Sequence, residues 1–213
     1  MKMIIPEKSL LRRTNDVDYY DWNYKFPIKY VQLYRFQTIV NLLGGRIYPR
    51  LLEIGTGSGI FLPELARHCE NLFAADIHPH FEGIENLLKY YNVKNFEVKS
   101  QSIQKIEYPD NYFDAIVAVS VLEFVDDLEA AITEIKRILK DDGLFFTICP
   151  MNSKILDLIL SFYSDKSPKE EFGDSRIYVG NTLEKKFKII RKGYMMPVFG
   201  KYFPVYTHYK LRN

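Results

Sequence analysis

Short apolar runs alternate along this chain with stretches whose apolar residues recur every three or four positions, the periods of buried strands and of amphipathic helices. The first clear run, Leu51-Leu52-Glu53-Ile54, breaks at Gly55-Thr56-Gly57-Ser58-Gly59, after which Pro63-Glu64-Leu65-Ala66-Arg67 predicts a helix reaching His68. Asn71 to Asp76 reads as a second strand ending in an acid, Phe81 to Tyr91 as a helix and Asn95 to Ser100 as a third strand. A turn at Tyr108-Pro109-Asp110-Asn111 then feeds Phe113 to Val119, a nearly continuous apolar run of the kind buried on both faces. Asp127 to Leu139 places Leu128, Ala131, Ile132, Ile135, Ile138 and Leu139 on one helical face, Asp141-Asp142-Gly143 ends that helix, and Leu144 to Cys149 is strand five. Strand and helix alternating at this length imply a doubly wound α/β sheet, mostly parallel, with helices on both faces.

Both flanks differ from this core. Residues 1–26 have no clean period, Pro27 to Leu43 is helical, and Gly44-Gly45 stops it. Beyond strand five, Ile155 to Tyr163 predicts a helix, Ser164 to Asp174 a polar loop, and Tyr178 to Phe187 a further helix. Lys188 to Tyr194 and Val205 to Leu211 read as a closing antiparallel pair that brings the sheet to seven strands, with the C-terminal strand reversed. Three parts follow: residues 1–44 as a helical segment able to act as a lid, 45–150 as the core, and 151–213 as the C-terminal part of the same domain, on the substrate side.

Composition narrows the class. With 213 residues, 47% hydrophobic and 26% charged, the chain can bury one substantial core, which excludes disordered and fibrous classes. No apolar run approaches the roughly 20 residues of a membrane span, so the expected location is cytoplasmic. Cys69 and Cys149 have no metal-ligand spacing and read as small buried hydrophobes.

The glycine loop carries the first chemistry. A glycine is required where the backbone takes positive φ or passes within contact distance of a ligand, and a helix begun just beyond aims unpaired N–H groups back into the gap. A dinucleotide fingerprint, Gly-x-Gly-x-x-Gly, would need its third glycine at Ile60, so that version is poorly matched. Asp76 follows Gly55 by 21 positions, close to the separation of about 20 at which a carboxylate on the next strand reaches ribose hydroxyls.

Glu53-x-Gly55-x-Gly57-x-Gly59 resembles motif I of the class I S-adenosylmethionine-dependent methyltransferases, a Rossmann-like family. Tyr108-Pro109-Asp110-Asn111-x-Phe113-Asp114, Ser120-Val121-Leu122-Glu123-Phe124-Val125 and Glu134-Ile135-x-Arg137-Ile138-Leu139-Lys140-x-x-Gly143 are similar, in order and spacing, to the later motifs of its type 11 branch. The resemblance covers about residues 45 to 150. It implies S-adenosylmethionine as cofactor and in-line transfer of its methyl group. By the same resemblance Glu53, Gly55, Thr56, Gly57, Ser58 and Gly59 shape the methionine end of the site, Asp76 holds the ribose, and Ile77 packs on adenine. Gln101, Ser102 and Ile103 reach the adenine edge, and Ser120 lies beside the sulfonium.

The chain departs from the family where Ser102 replaces a common Asp and Phe124 a common His, which removes one candidate base. Candidate bases that remain are Glu123, His80, His208 and the tyrosines, none backed by a motif. His78-Pro79-His80 lacks further ligands at metal spacing and reads as an exposed loop, so no metal is expected. Ser120-Val121-Leu122-Glu123 stands where amino-methyltransferases acting on DNA place Asn/Asp-Pro-Pro-Tyr, which disfavours duplex DNA as a partner. Aromatics gather from Tyr19 to Phe36 and from Tyr194 to Tyr209, which suits a small apolar or aromatic acceptor. Residues 183–213 hold eight Lys/Arg against Glu184 alone. That stretch reads first as a solvated surface and second as a face for RNA or an anionic membrane, so an RNA or protein methyltransferase, or a catalytically silent partner subunit, stays open as an alternative.

Overall fold

The computed structural model describes residues 3–15, 18–153, 157, 175–195 and 205–213. Seven strands form one sheet, β1 (Tyr48–Ile54), β2 (Cys69–Asp76), β3 (Phe96–Ser100), β4 (Phe113–Val119), β5 (Leu139–Pro150), β6 (Lys188–Tyr194) and β7 (Tyr206–Arg212), in the order β3-β2-β1-β4-β5-β7-β6. Neighbours from β3 through β5 pair in parallel, while β7 runs antiparallel to both β5 and β6. This is the doubly wound, mostly parallel architecture with a reversed C-terminal strand that the patterning implies.

Helices cover both faces because β4 is apolar on both. Ala115, Val117 and Phe146 face a core shared with α1 (Ile28–Leu43), the single turn α2 (Leu62–Leu65) and α3 (Glu82–Tyr90). Ile116, Ala118 and Phe145 face a second core under α4 (Leu128–Ile138) and α5 (Ser175–Lys186). Asp127 caps α4 by accepting from the Ala130 N–H at 3.0 Å, a contact whose removal costs about 1 kcal/mol. At the other end, Arg137 donates to Glu134, Asp110 and the carbonyls of Ile106 and Tyr108, which staples the turn ahead of β4 to the helix. That guanidinium also holds the Glu134 carboxyl below its usual range.

Three elements differ from the expectation. The helix after the glycine loop is one turn, Leu62–Leu65, followed by a 3-10 turn Ala66–His68, because the chain must re-enter the sheet at Cys69. Its early N–H groups are spent on Gly59 and Phe61 carbonyls and do not point into a gap. Strand β5 starts at Leu139, directly off α4: Lys140 reaches Asp114 at 2.6 Å, and the Asp141-Asp142-Gly143 stretch that reads as a turn is extended. Helix α5 starts at Ser175, ahead of the expected Tyr178. The helix expected over Ile155 to Tyr163, the loop from Ser164 to Asp174 and part of the Tyr194 to Tyr209 aromatics lie outside the described residues.

Candidate active site

At the carboxyl ends of β1 and β4, where strand order reverses direction, a doubly wound sheet leaves a crevice. Here it is a cavity of ≈ 340 Å³. Its floor is the loop after β1, where Gly55, Gly57 and Gly59 have φ of 72°, 50° and 76°. A Cβ on Gly55 would stand 2.3 Å from a Val121 methyl, and one on Gly57 would stand 3.3 Å from the Asp18 carboxylate. Gly59 lies outside the cavity lining; a Cβ there would meet Ile84 at 3.0 Å, so it lets the loop pack on α3. The remaining residues expected to hold the cofactor, Glu53, Gly55, Thr56, Gly57, Ser58, Asp76, Ile77, Ser102, Ile103 and Ser120, all line this cavity.

Asp76 ends β2 with its carboxylate turned to the loop, accepting from the Gly57 N–H at 2.8 Å and the His78 N–H at 3.4 Å. Several buried polar atoms in the lining, Glu53 Oε2, Thr56 Oγ1, Ser58 Oγ and Gln101 Nε2 among them, have no hydrogen-bond partner among the described residues. Orphaned polar groups in a cavity this size mark where a polar ligand is read. Burial, reinforced by Asp76, pushes the Glu53 carboxyl well above its usual value, and Asp18 is raised for the same two reasons. Three carboxyl groups thus surround the glycine loop, and a cationic ligand placed among them would favour their charged forms. On the far side Ser102 Oγ already accepts from the Gln104 N–H at 3.2 Å, which leaves Gln101 as the turn's unsatisfied donor. Ile77 stands at the cavity mouth, 73% exposed.

The other wall comes from outside the core. Trp22, Asn23, Gln32, Arg35 and Phe36 close the cavity from the N-terminal segment and α1, and Tyr206 closes it from β7. Ser120, in the left-handed region at φ 55°, accepts from Arg35 Nη1 at 2.6 Å. Gln32 takes the second Arg35 nitrogen, Phe36 and Tyr206 flank its guanidinium, and its buried Nε has no hydrogen-bond partner among the described residues. No carboxylate pairs with Arg35 among the described residues. Neither Arg35 nor Asp18 stands out in the sequence, since both reach the crevice by tertiary packing.

Of the candidate bases, Glu123 lines the cavity and is 4% exposed, and Tyr19, Tyr20 and Tyr206 line it too. Burial raises the Tyr206 phenol, Arg35 offsetting part of that and Glu123 adding to it. His208 sits against Gly193 near the sheet edge, its pKa lowered by burial and by Arg191, and His80 is exposed; neither lines the cavity. His78, expected to be exposed, is 5% exposed, because its ring packs on Phe81 and hydrogen-bonds the glycine loop. Among the described residues no group of three or more His, Cys, Asp or Glu could hold a metal. In the C-terminal basic stretch, Lys186, Lys192 and Arg212 face Glu129, Glu184 and Asp142.

Residues 52–147 match the family described as "Methyltransferase domain". A fatty-acid O-methyltransferase of Mycolicibacterium smegmatis is 27% identical over 96 residues, covering 45% of this chain and 35% of that protein. The ubiquinone/menaquinone biosynthesis C-methyltransferase UbiE of Zymomonas mobilis is 26% identical over 108 residues, covering 50% of this chain and 45% of that protein. The match therefore spans less than half the length of either relative. The N-methyltransferase NodS of Bradyrhizobium japonicum, solved with S-adenosylhomocysteine, superposes with a TM-score of 0.68 at 18% identity over 96% of both chains.

Proposed function

We propose that this chain, whose core is a class I S-adenosylmethionine-dependent methyltransferase domain, transfers a methyl group to a small apolar or aromatic acceptor held between the glycine loop and the N-terminal segment. One observation carries this reading: the crevice built on the methyltransferase loop continues, as a single cavity, to a wall of Trp22, Phe36 and Tyr206. The names of the two relatives, one for a fatty acid and one for ubiquinone/menaquinone biosynthesis, support an apolar acceptor.

The residues present fit the cofactor. Asp76 takes the ribose hydroxyls, Gln101 gives its orphaned N–H to the adenine edge, and Ile77 and Ile103 cover the ring. Glu53, Thr56, Ser58 and Asp18 face the amino-acid end, where their oxygens accept from an ammonium group that would favour the charged form of both carboxyls, and Arg35 supplies the matching cation for a carboxylate. When bound, S-adenosylmethionine supplies a methyl group already activated by its sulfonium. Trp22, Phe36 and Tyr206 align the acceptor and exclude water, which accounts for most of the rate of an in-line displacement. Glu123 takes the proton of an acceptor that arrives as a hydroxyl or amine. A polymer acceptor bound on the basic C-terminal face is the weaker reading: three of those cations face acids, and β6 is the sheet edge farthest in strand order from β1.

Calorimetric titration with S-adenosylhomocysteine, then turnover of S-adenosylmethionine against phenols, quinols and fatty acids, tests the proposal. One saturable site and methylation of at least one apolar acceptor are expected. Absence of binding overturns the cofactor assignment, and transfer to RNA or protein alone overturns the acceptor class.

A further inference from the structure

We propose that His78 is a positioning residue that fixes the glycine loop in its ligand-ready shape by donating from Nε2 to the Gly57 carbonyl. This inference rests on the reading of the crevice as the cofactor site. The His78-Pro79-His80 stretch has no place in the methyltransferase motifs matched above.

The tautomer follows from the neighbours. The His80 backbone N–H lies 3.1 Å from His78 Nδ1. A backbone N–H can only donate, so Nδ1 is the unprotonated nitrogen of a neutral ring and Nε2 carries the hydrogen. Nε2 is 3.0 Å from the Gly57 carbonyl oxygen, which accepts it. Pro79 keeps the link between donor and acceptor stiff, and Phe81 packs on the imidazole with ring centres 4.7 Å apart.

Both polar groups of Gly57 are therefore held from the end of β2: its N–H by Asp76 Oδ2 at 2.8 Å and its carbonyl by His78. Thr56 and Ser58, whose orphaned hydroxyls face the cavity, flank Gly57 directly. Gly57 itself, at φ 50° and without a side chain, has little intrinsic preference to keep this shape. Releasing its carbonyl frees the loop to turn, and both hydroxyls lose their aim. Asp76 thereby does two jobs, of which the loop contact needs His78 to complete it.

Two isosteric replacements in the full chain separate positioning from packing. His78→Asn keeps an acceptor for the His80 N–H but is too short to reach Gly57; His78→Gln reaches Gly57 with an amide N–H and gives up the acceptor. A net hydrogen bond of ordinary strength predicts that His78→Asn weakens S-adenosylhomocysteine binding roughly three- to tenfold, with His78→Gln within about twofold of wild type. Melting temperatures of the two ligand-free variants are expected to fall together. Nitrogen-15 histidine spectra of the wild type are expected to show His78 neutral with its hydrogen on Nε2. Wild-type binding by His78→Asn, equal weakening by His78→Gln, or a hydrogen on Nδ1 each overturns the proposal. A wild-type protein that does not bind at all instead overturns the cofactor assignment, and the positioning role with it.

Discussion

Replacing Gly55 by alanine tests the crevice floor most directly, because two separable costs meet there. The residue sits at φ 72°, where an L side chain loses ~1–2 kcal/mol to its own carbonyl. The added methyl would also stand 2.3 and 2.8 Å from the two Val121 methyls, an overlap of the kind that costs ~1–3 kcal/mol when a packed site must shift. Together they predict a loss of about 2–5 kcal/mol, which for a chain of this size lowers the melting temperature by roughly 4–20 °C. Val121→Ala in the same background removes both clashing methyls and leaves Val121 Cβ, 3.1 Å away. The double variant should therefore recover the overlap cost and keep the dihedral cost, a coupling of about 1–3 kcal/mol. Thermal unfolding of the four proteins, each with and without S-adenosylhomocysteine, reads this out. Independent additive effects, or a Gly55→Ala protein that melts and binds as wild type, would refute the account of the loop.

Three further outcomes are specific. Asp76→Asn removes a charge that accepts from Gly57 and His78, so S-adenosylhomocysteine affinity should fall roughly 10- to 100-fold by calorimetry while the circular dichroism spectrum is unchanged. Glu53 has its folded pKa raised well above 4.5, so its contribution to stability is complete below about pH 4.5 and is lost as pH rises through the folded value; ligand-free Glu53→Gln should melt above wild type at neutral pH and converge with it near pH 4. Burial pushes the Cys69 thiol up to about 12 and Cys149 higher still, so iodoacetamide at about pH 8 should modify neither in the folded protein and both after denaturation, as mass spectrometry would show.

The sheet is legible in the sequence because a strand buried on both faces has almost no freedom of composition. Phe113 to Val119 and the three- and four-residue spacing of apolar positions in α4 leave few alternatives. Where the pattern misleads, local chemistry is overruled by a tertiary contact: Asp141-Asp142-Gly143 has turn composition, yet Lys140 bound to Asp114 draws Leu139 straight into the sheet. The glycine loop and Asp76, which meet on one side of the crevice, are equally readable, since glycine spacing and the distance to Asp76 are set along the chain. Its other half is not. Arg35 looks like any helical surface cation until α1 folds over Ser120, and Asp18 is one acid among many until it reaches Gly57. His78 misleads for the opposite reason: a histidine beside proline in a loop has the composition of an exposed turn, and nothing local records that its ring turns inward to the loop after β1.

The reversed direction of β7 has a consequence for biosynthesis. A parallel strand would bring its last residue to the upper rim of the sheet; an antiparallel one brings its first, and Tyr206 stands opposite Pro150 at that rim. Ribosomes release this strand after the other six, so a nascent chain complete through β5 has the glycine-loop floor of the crevice with the Tyr206 side still missing. A chain stopped short of Tyr206 keeps the recognisable motifs while lacking that wall of the cavity.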